Sequence, residues 1–103
     1  MDLRSSERVP VDLEAEIHAR DQVFRGTVLN CSLSGVFMRT DEKLVADEII
    51  EVKIFIPGIV DPVSASSRVI WTDWSDKYPP GFGIHFVSLT DDQARILRTF
   101  LYE

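Results

Sequence analysis

Six short strand-like runs followed by one run of helical period predict a mostly β domain, a barrel or sandwich of antiparallel strands with a terminal helix. Three observations carry this. Apolar residues alternate at period two in the first, fourth and sixth runs. Gly, Pro, Asn, Asp and Ser punctuate the runs. The period changes only once, near the C-terminus.

Residues 1–10 show no periodicity and read as a flexible arm, with Pro10 marking the start of ordered structure. Residues 11–103 form the single folded domain. In the first strand Val11, Leu13, Ala15, Ile17 and Ala19 share one face, and Asp12, Glu14, Glu16 and His18 share the other. Arg20-Asp21-Gln22 suits a short turn, and Val23 to Leu29 pairs back as a hairpin. Asn30 to Gly35 breaks the pattern with turn formers. Val36-Phe37-Met38 opens strand three.

Thr40 to Asp47 is a charged connection. Strand four runs from Glu48 to Ile56, with Ile50, Val52, Ile54 and Ile56 inward and Glu51 and Lys53 outward; Pro57-Gly58 stops it. Strand five covers Val63 to Thr72 and carries Val69, Ile70 and Trp71. Its Trp71 alternates with Val69 and is expected in the core or at the barrel rim. Ser75 to Pro80 is a turn-rich link. Phe82, Ile84 and Phe86 alternate with Gly83 and His85 in strand six. Thr90-Asp91-Asp92-Gln93 then spells a helix start: a Thr cap, a Gln able to close a capping box, and acids at the positive end of the helix dipole. Ala94, Leu97 and Leu101 follow at helical spacing, and Ile96 and Phe100 widen the stripe.

Composition narrows the function. The chain has 103 residues, formal net charge −6 and one cysteine, Cys31. That excludes an internal disulfide framework and a cysteine-rich zinc site. No apolar run spans a bilayer and the N-terminus is polar, so a cytoplasmic location without membrane insertion is expected. The net charge argues against a nucleic-acid binder. It leaves room for a small anion, because a local arginine cluster overrides a global sign.

No catalytic centre is legible. His18 and His85 fall at outward strand positions, far apart, with no third ligand to make a metal site. Cys31 has no histidine at a signature spacing. The carboxylates mostly alternate outward, and Asp91 and Asp92 are explained by the helix start. The chain is therefore expected to be neither an enzyme nor a metalloprotein, and to need no cofactor.

Two clusters remain. Arg4 and Arg8 lie four residues apart on the arm. Asn30, Ser32 and Gly35 lie in the break after strand two. Each alone is ordinary, since solvated arms carry arginines and turns use Asn, Ser and Gly. Together, as Arg-x-x-x-Arg followed by Asn-x-Ser-x-x-Gly, they resemble the ligand signature of PilZ domains, bacterial receptors for cyclic di-GMP. Arg8-Val9-Pro10-Val11, Val69-Ile70-Trp71 and Gly81-Phe82-Gly83-Ile84-His85-Phe86 resemble further family segments, so the likeness covers nearly the whole chain.

The resemblance implies a six-stranded antiparallel barrel with a C-terminal helix. It implies that Arg4 and Arg8 take guanine edges, base planes and phosphates, the several modes open to a planar, always-charged guanidinium. Asn30 and Ser32 would hydrogen-bond a guanine, and Gly35 would let the backbone come close to the ligand. Trp74 and Arg39 are possible peripheral contacts. The arm would order over the bound nucleotide and signal to an unidentified effector protein in motility or biofilm regulation. A monomer or weak homodimer is expected. Asn30 stands where the family often has Asp, and Leu3 where many members have a further Arg. A nucleotide-independent adaptor for motility or pilus machinery is the alternative.

Overall fold

The computed structural model describes residues 7–73 and 80–103. Six strands and one helix follow in order: β1 (Val9–Ala19), β2 (Gln22–Cys31), β3 (Gly35–Thr40), β4 (Ile49–Ile54), β5 (Val63–Asp73), β6 (Gly81–Ser88) and α1 (Asp91–Tyr102). The strands close into an antiparallel barrel in the order β1-β2-β3-β6-β5-β4. The six-stranded antiparallel barrel with its terminal helix is thus the observed fold. Closure removes the unpaired edges that invite aggregation.

The core follows from the alternation. Leu13, Ala15, Ile17 and Ala19 of β1, Ile50, Val52 and Ile54 of β4, and Phe82, Ile84 and Phe86 of β6 all point inward and are buried. Each fully buried large aliphatic side chain contributes about 1.5–3 kcal/mol relative to exposure. Ile56 lies beyond β4 yet is buried too. Leu97 is the fully buried residue of α1 and joins the same core. The capping box forms as predicted: Thr90 accepts from the Gln93 backbone N–H, and the Gln93 side chain accepts from the Thr90 N–H. Phe100 lies with Ile96 along one cleft and is 37% exposed.

Turn geometry explains an unusual choice in the first hairpin. Arg20 and Asp21 have φ of 53° and 60°. Two consecutive left-handed residues suit the twist of a tight hairpin but rarely use Arg. Here Arg20 is held from outside: its Nε lies 3.1 Å from Glu48 Oε1, and its guanidinium lies 5.7 Å from the Phe24 ring centroid.

Boundaries move where sequence pattern was silent. Sheet pairing begins at Val9, and Pro10 already sits opposite Asn30. Ordered structure therefore starts before Pro10, not after it. β2 continues through Asn30 and Cys31, so the break between β2 and β3 is only three residues, Ser32 to Ser34. A bulge between Val28 and Asn30 hides that continuation from a period-two reading. Of the Ser75–Pro80 link, residues 75–79 lie outside the described residues.

Candidate functional site: the outer wall of β2, β3, β6 and β5

Arg8 and Asn30 meet. The Arg8 guanidinium donates to Asn30 Oδ1 at 3.0 Å, across a separation of 22 residues. Arg8 precedes β1, and Asn30 lies at the end of β2, opposite Pro10. The hairpin register therefore brings the arm's root to the end of β2. Both side chains lie on the barrel's outside.

The Ser32–Ser34 turn is built from its own side chains. Ser32 N–H donates to the Gly35 carbonyl at 2.9 Å, and Ser34 N–H donates to Ser32 Oγ at 3.1 Å. The two hydroxyls share a hydrogen bond of 2.8 Å. Phe86 N–H ties the turn to β6 through the Ser34 carbonyl at 2.8 Å. Ser32 is completely buried, whereas Ser34 is exposed. Ser32 thus shapes the turn, and Ser34 presents the accessible hydroxyl. The Asn-x-Ser-x-x-Gly spacing named the first serine and passed over the second.

Gly35 is needed for a reason other than positive φ, which it lacks. A Cβ there would collide with the Ile84 carbonyl oxygen of β6. The glycine allows β3 to pack against β6 and so fixes where the turn sits. The close approach that this glycine permits in the barrel is of β3 to β6.

An aromatic pair continues the site. One transverse row of the sheet runs Asn30, Phe37, Gly83, Trp71. Phe37 and Trp71 stack across β6, with ring centroids 5.3 Å apart and planes 14° from parallel. Gly83 permits this, since a Cβ there would run into the Trp71 indole. Trp71 is 45% exposed, so it belongs to the outer wall and not to the core. The bulge between Val69 and Trp71 turns it outward and defeats the alternation that placed it inside. Arg39 lies with its guanidinium carbon 5.3 Å from the Phe37 centroid, a cation–π contact at the end of the stack.

Cationic side chains flank the aromatic row. His85 of β6 sits between Gly35 and Arg68, and both His85 and Arg68 are exposed. Arg8, Arg39 and Arg68 thus flank the aromatic row, with His85 beside Arg68. In the closed ring the β3–β6 seam lies opposite the β4–β1 seam. On the β1–β4 seam Glu16 sits opposite Lys53, and Glu51 opposite His18. The cleft of about 510 Å³ beside Arg25 and Arg39 is a poorer anion site, because Glu14, Glu16 and Asp41 share its lining.

Cys31 is buried beside this site, and burial pushes its thiol up to about 12 despite the opposing pull of Arg8. It is a core residue without nucleophilic character. Among the described residues no His, Cys, Asp and Glu group has the arrangement to hold a metal ion. No helix among them is long and apolar enough to cross a membrane. Arg4 and Trp74 lie outside the described residues.

The wall can therefore be compared with known proteins. The fold matches the inhibitor of motility MotI/DgrA of Bacillus subtilis with TM-score 0.76 at 14% identity, covering 91% of this chain and 46% of that one. It matches the PilZ domain of YcgR from Escherichia coli, solved with c-di-GMP, with TM-score 0.74 at 12% identity, covering 93% of this chain and 86% of that one. A search of curated protein sequences gives no match. At the level of family, the PilZ domain model matches residues 2–103, and the chain belongs to the PilZ domain family.

Proposed function

We propose that this protein is a receptor for cyclic di-GMP and that it acts by binding, not by chemistry. The observation that carries the proposal is the placement of Arg8 and Asn30 at one end of the outward-facing Phe37–Trp71 row, of which Phe37 is half-buried and Trp71 exposed. Cyclic di-GMP offers two flat guanines and two phosphodiester charges. Phe37 and Trp71 offer apolar ring surface, and base–aromatic stacking contributes about 1–3 kcal/mol per base. Arg8 offers fixed positive charge and a planar fork for guanine edges or phosphate, and Arg39 adds positive charge beside Phe37. Asn30 and the exposed Ser34 hydroxyl offer polar partners. A guanidinium neither gives nor takes a proton near neutral pH, so this set suits recognition rather than acid–base catalysis.

In this reading Arg8 exchanges its bond to Asn30 for bonds to the nucleotide, and Arg4 joins it from the arm. The printed descriptions of the two structural relatives, one with c-di-GMP and one an inhibitor of motility, support a receptor that passes its signal to a partner protein. The barrel holds no second domain to receive that signal within residues 7–73 and 80–103. An effector in motility control is the proposed recipient.

The test is calorimetric titration with cyclic di-GMP and other cyclic dinucleotides at two salt concentrations. Saturable binding that prefers cyclic di-GMP and weakens with salt is expected. Arg8→Ala should cost about 1–3 kcal/mol, the value of a charge-assisted bidentate contact. A folded wild-type protein with no binding at high micromolar nucleotide would overturn the receptor and favour a nucleotide-independent adaptor.

A further inference from the structure

We infer that Tyr102, at the far end of the chain, is a positioning residue for Arg8. The inference rests on the receptor reading above and deepens it. The Tyr102 hydroxyl donates to the Glu7 carbonyl at 2.7 Å, across a separation of 95 residues. That carbonyl belongs to the same peptide plane as the Arg8 N–H. The plane is rigid, so fixing its oxygen fixes the direction from which the chain enters Arg8 Cα.

The need for such an anchor follows from the fold. Sheet pairing starts at Val9, one residue later. Glu7 and Arg8 precede the ladder, and both are exposed. An exposed arginine ahead of a strand has many rotamers, and ordering it costs free energy that binding must overcome. Here two contacts hold the segment: Tyr102 on the peptide and Asn30 on the guanidinium. Arg8 is thereby aimed at the end of the aromatic row before any ligand arrives.

Tyr102 can do this because α1 is itself fixed. Its capping box sets the first turn, and Leu97 is seated in the barrel core. Tyr102 is the last residue of the helix. The helix thus serves as a strut between the core and the arm. By thermodynamic reciprocity, a nucleotide that holds Arg8 also strengthens the hold on the last turn of α1.

The test is Tyr102→Phe, which removes one hydroxyl and keeps the ring. Cyclic di-GMP affinity is expected to fall about three- to tenfold, the worth of one hydrogen bond. The melting temperature should fall by no more than about 5 °C. In an Arg8→Lys background, where the directional fork is already gone, Tyr102→Phe should change affinity less than about twofold, as expected when two residues act through one contact. NMR of the ligand-free protein should show the Arg8 Nε signal moving toward that of a freely rotating arginine in Tyr102→Phe. In wild-type protein the nucleotide should slow hydrogen exchange in the last turn of α1. Wild-type affinity and an unmoved Arg8 signal in Tyr102→Phe would overturn the inference. If folded wild-type protein takes no cyclic di-GMP, the receptor reading falls by itself, and the Arg8 signal alone decides whether Tyr102 positions it.

Discussion

Arg8 donates to Asn30 Oδ1 at 3.0 Å, and this bond joins the root of the arm to the end of β2. It is exposed, so its own contribution to stability is small; its consequence is that the two groups proposed to contact the nucleotide stand side by side. Asn30→Ala should change the unfolding free energy by less than about 0.5 kcal/mol, as surface changes usually do. The same variant should bind cyclic di-GMP roughly tenfold more weakly, the scale of one lost hydrogen bond to a charged group. Paired urea melts and calorimetric titrations separate the two effects.

Gly35 tests the opposite case, a signature residue whose first task is packing. A Cβ at this position meets the Ile84 carbonyl, which is backbone and cannot step aside cheaply. Gly35→Ala should therefore destabilise the barrel by roughly 1–3 kcal/mol. The midpoint of urea unfolding reads this directly. A variant as stable as wild type would mean that β3 and β6 can separate without cost.

Gly83 should behave differently, because the obstacle there is the Trp71 side chain. Gly83→Ala is expected to push the indole off Phe37 and to cost less stability than Gly35→Ala. Trp71→Phe should leave the fold intact, weaken nucleotide binding several-fold, and remove most of the fluorescence change on binding. Loss of signal without loss of affinity would show that Trp71 reports on the site without touching the ligand.

Cys31 should be inert in the folded protein. Its thiol is raised from the ordinary 9.0 to about 12, first by burial. Alkylation at pH 8.5 should be slow in buffer and fast in denaturant. The sign of the linkage is fixed: the unfolded thiol ionises first, so its contribution to stability is complete below pH 9.0 and is lost as pH rises toward about 12. Urea melts of wild type and Cys31→Val across that range should diverge, with wild type losing more.

Thr90 closes the capping box at the start of α1. Thr90→Ala should cost about 1 kcal/mol. Because α1 ends in Tyr102, a frayed helix should also loosen the Glu7 contact, and nucleotide affinity should drop slightly with stability.

Spacing along the chain is enough to read which residues face inward along β1, β4 and β6, where α1 begins, and the motifs that resemble the PilZ family. Period two, capping chemistry and ordered motifs are local properties, so they are written along the chain. Trp71, expected in the core or at the barrel rim, faces outward because of the bulge after Val69. Whether an apolar side chain is covered depends on a bulge or on a neighbouring element, and neither shows in spacing. The pairing of Arg8 with Asn30, the collision that requires Gly35, the Phe37–Trp71 stack over Gly83 and the reach of Tyr102 to Glu7 were decided only by the closed barrel. Each joins residues that share no local pattern, and only strand register and helix seating bring them within contact distance.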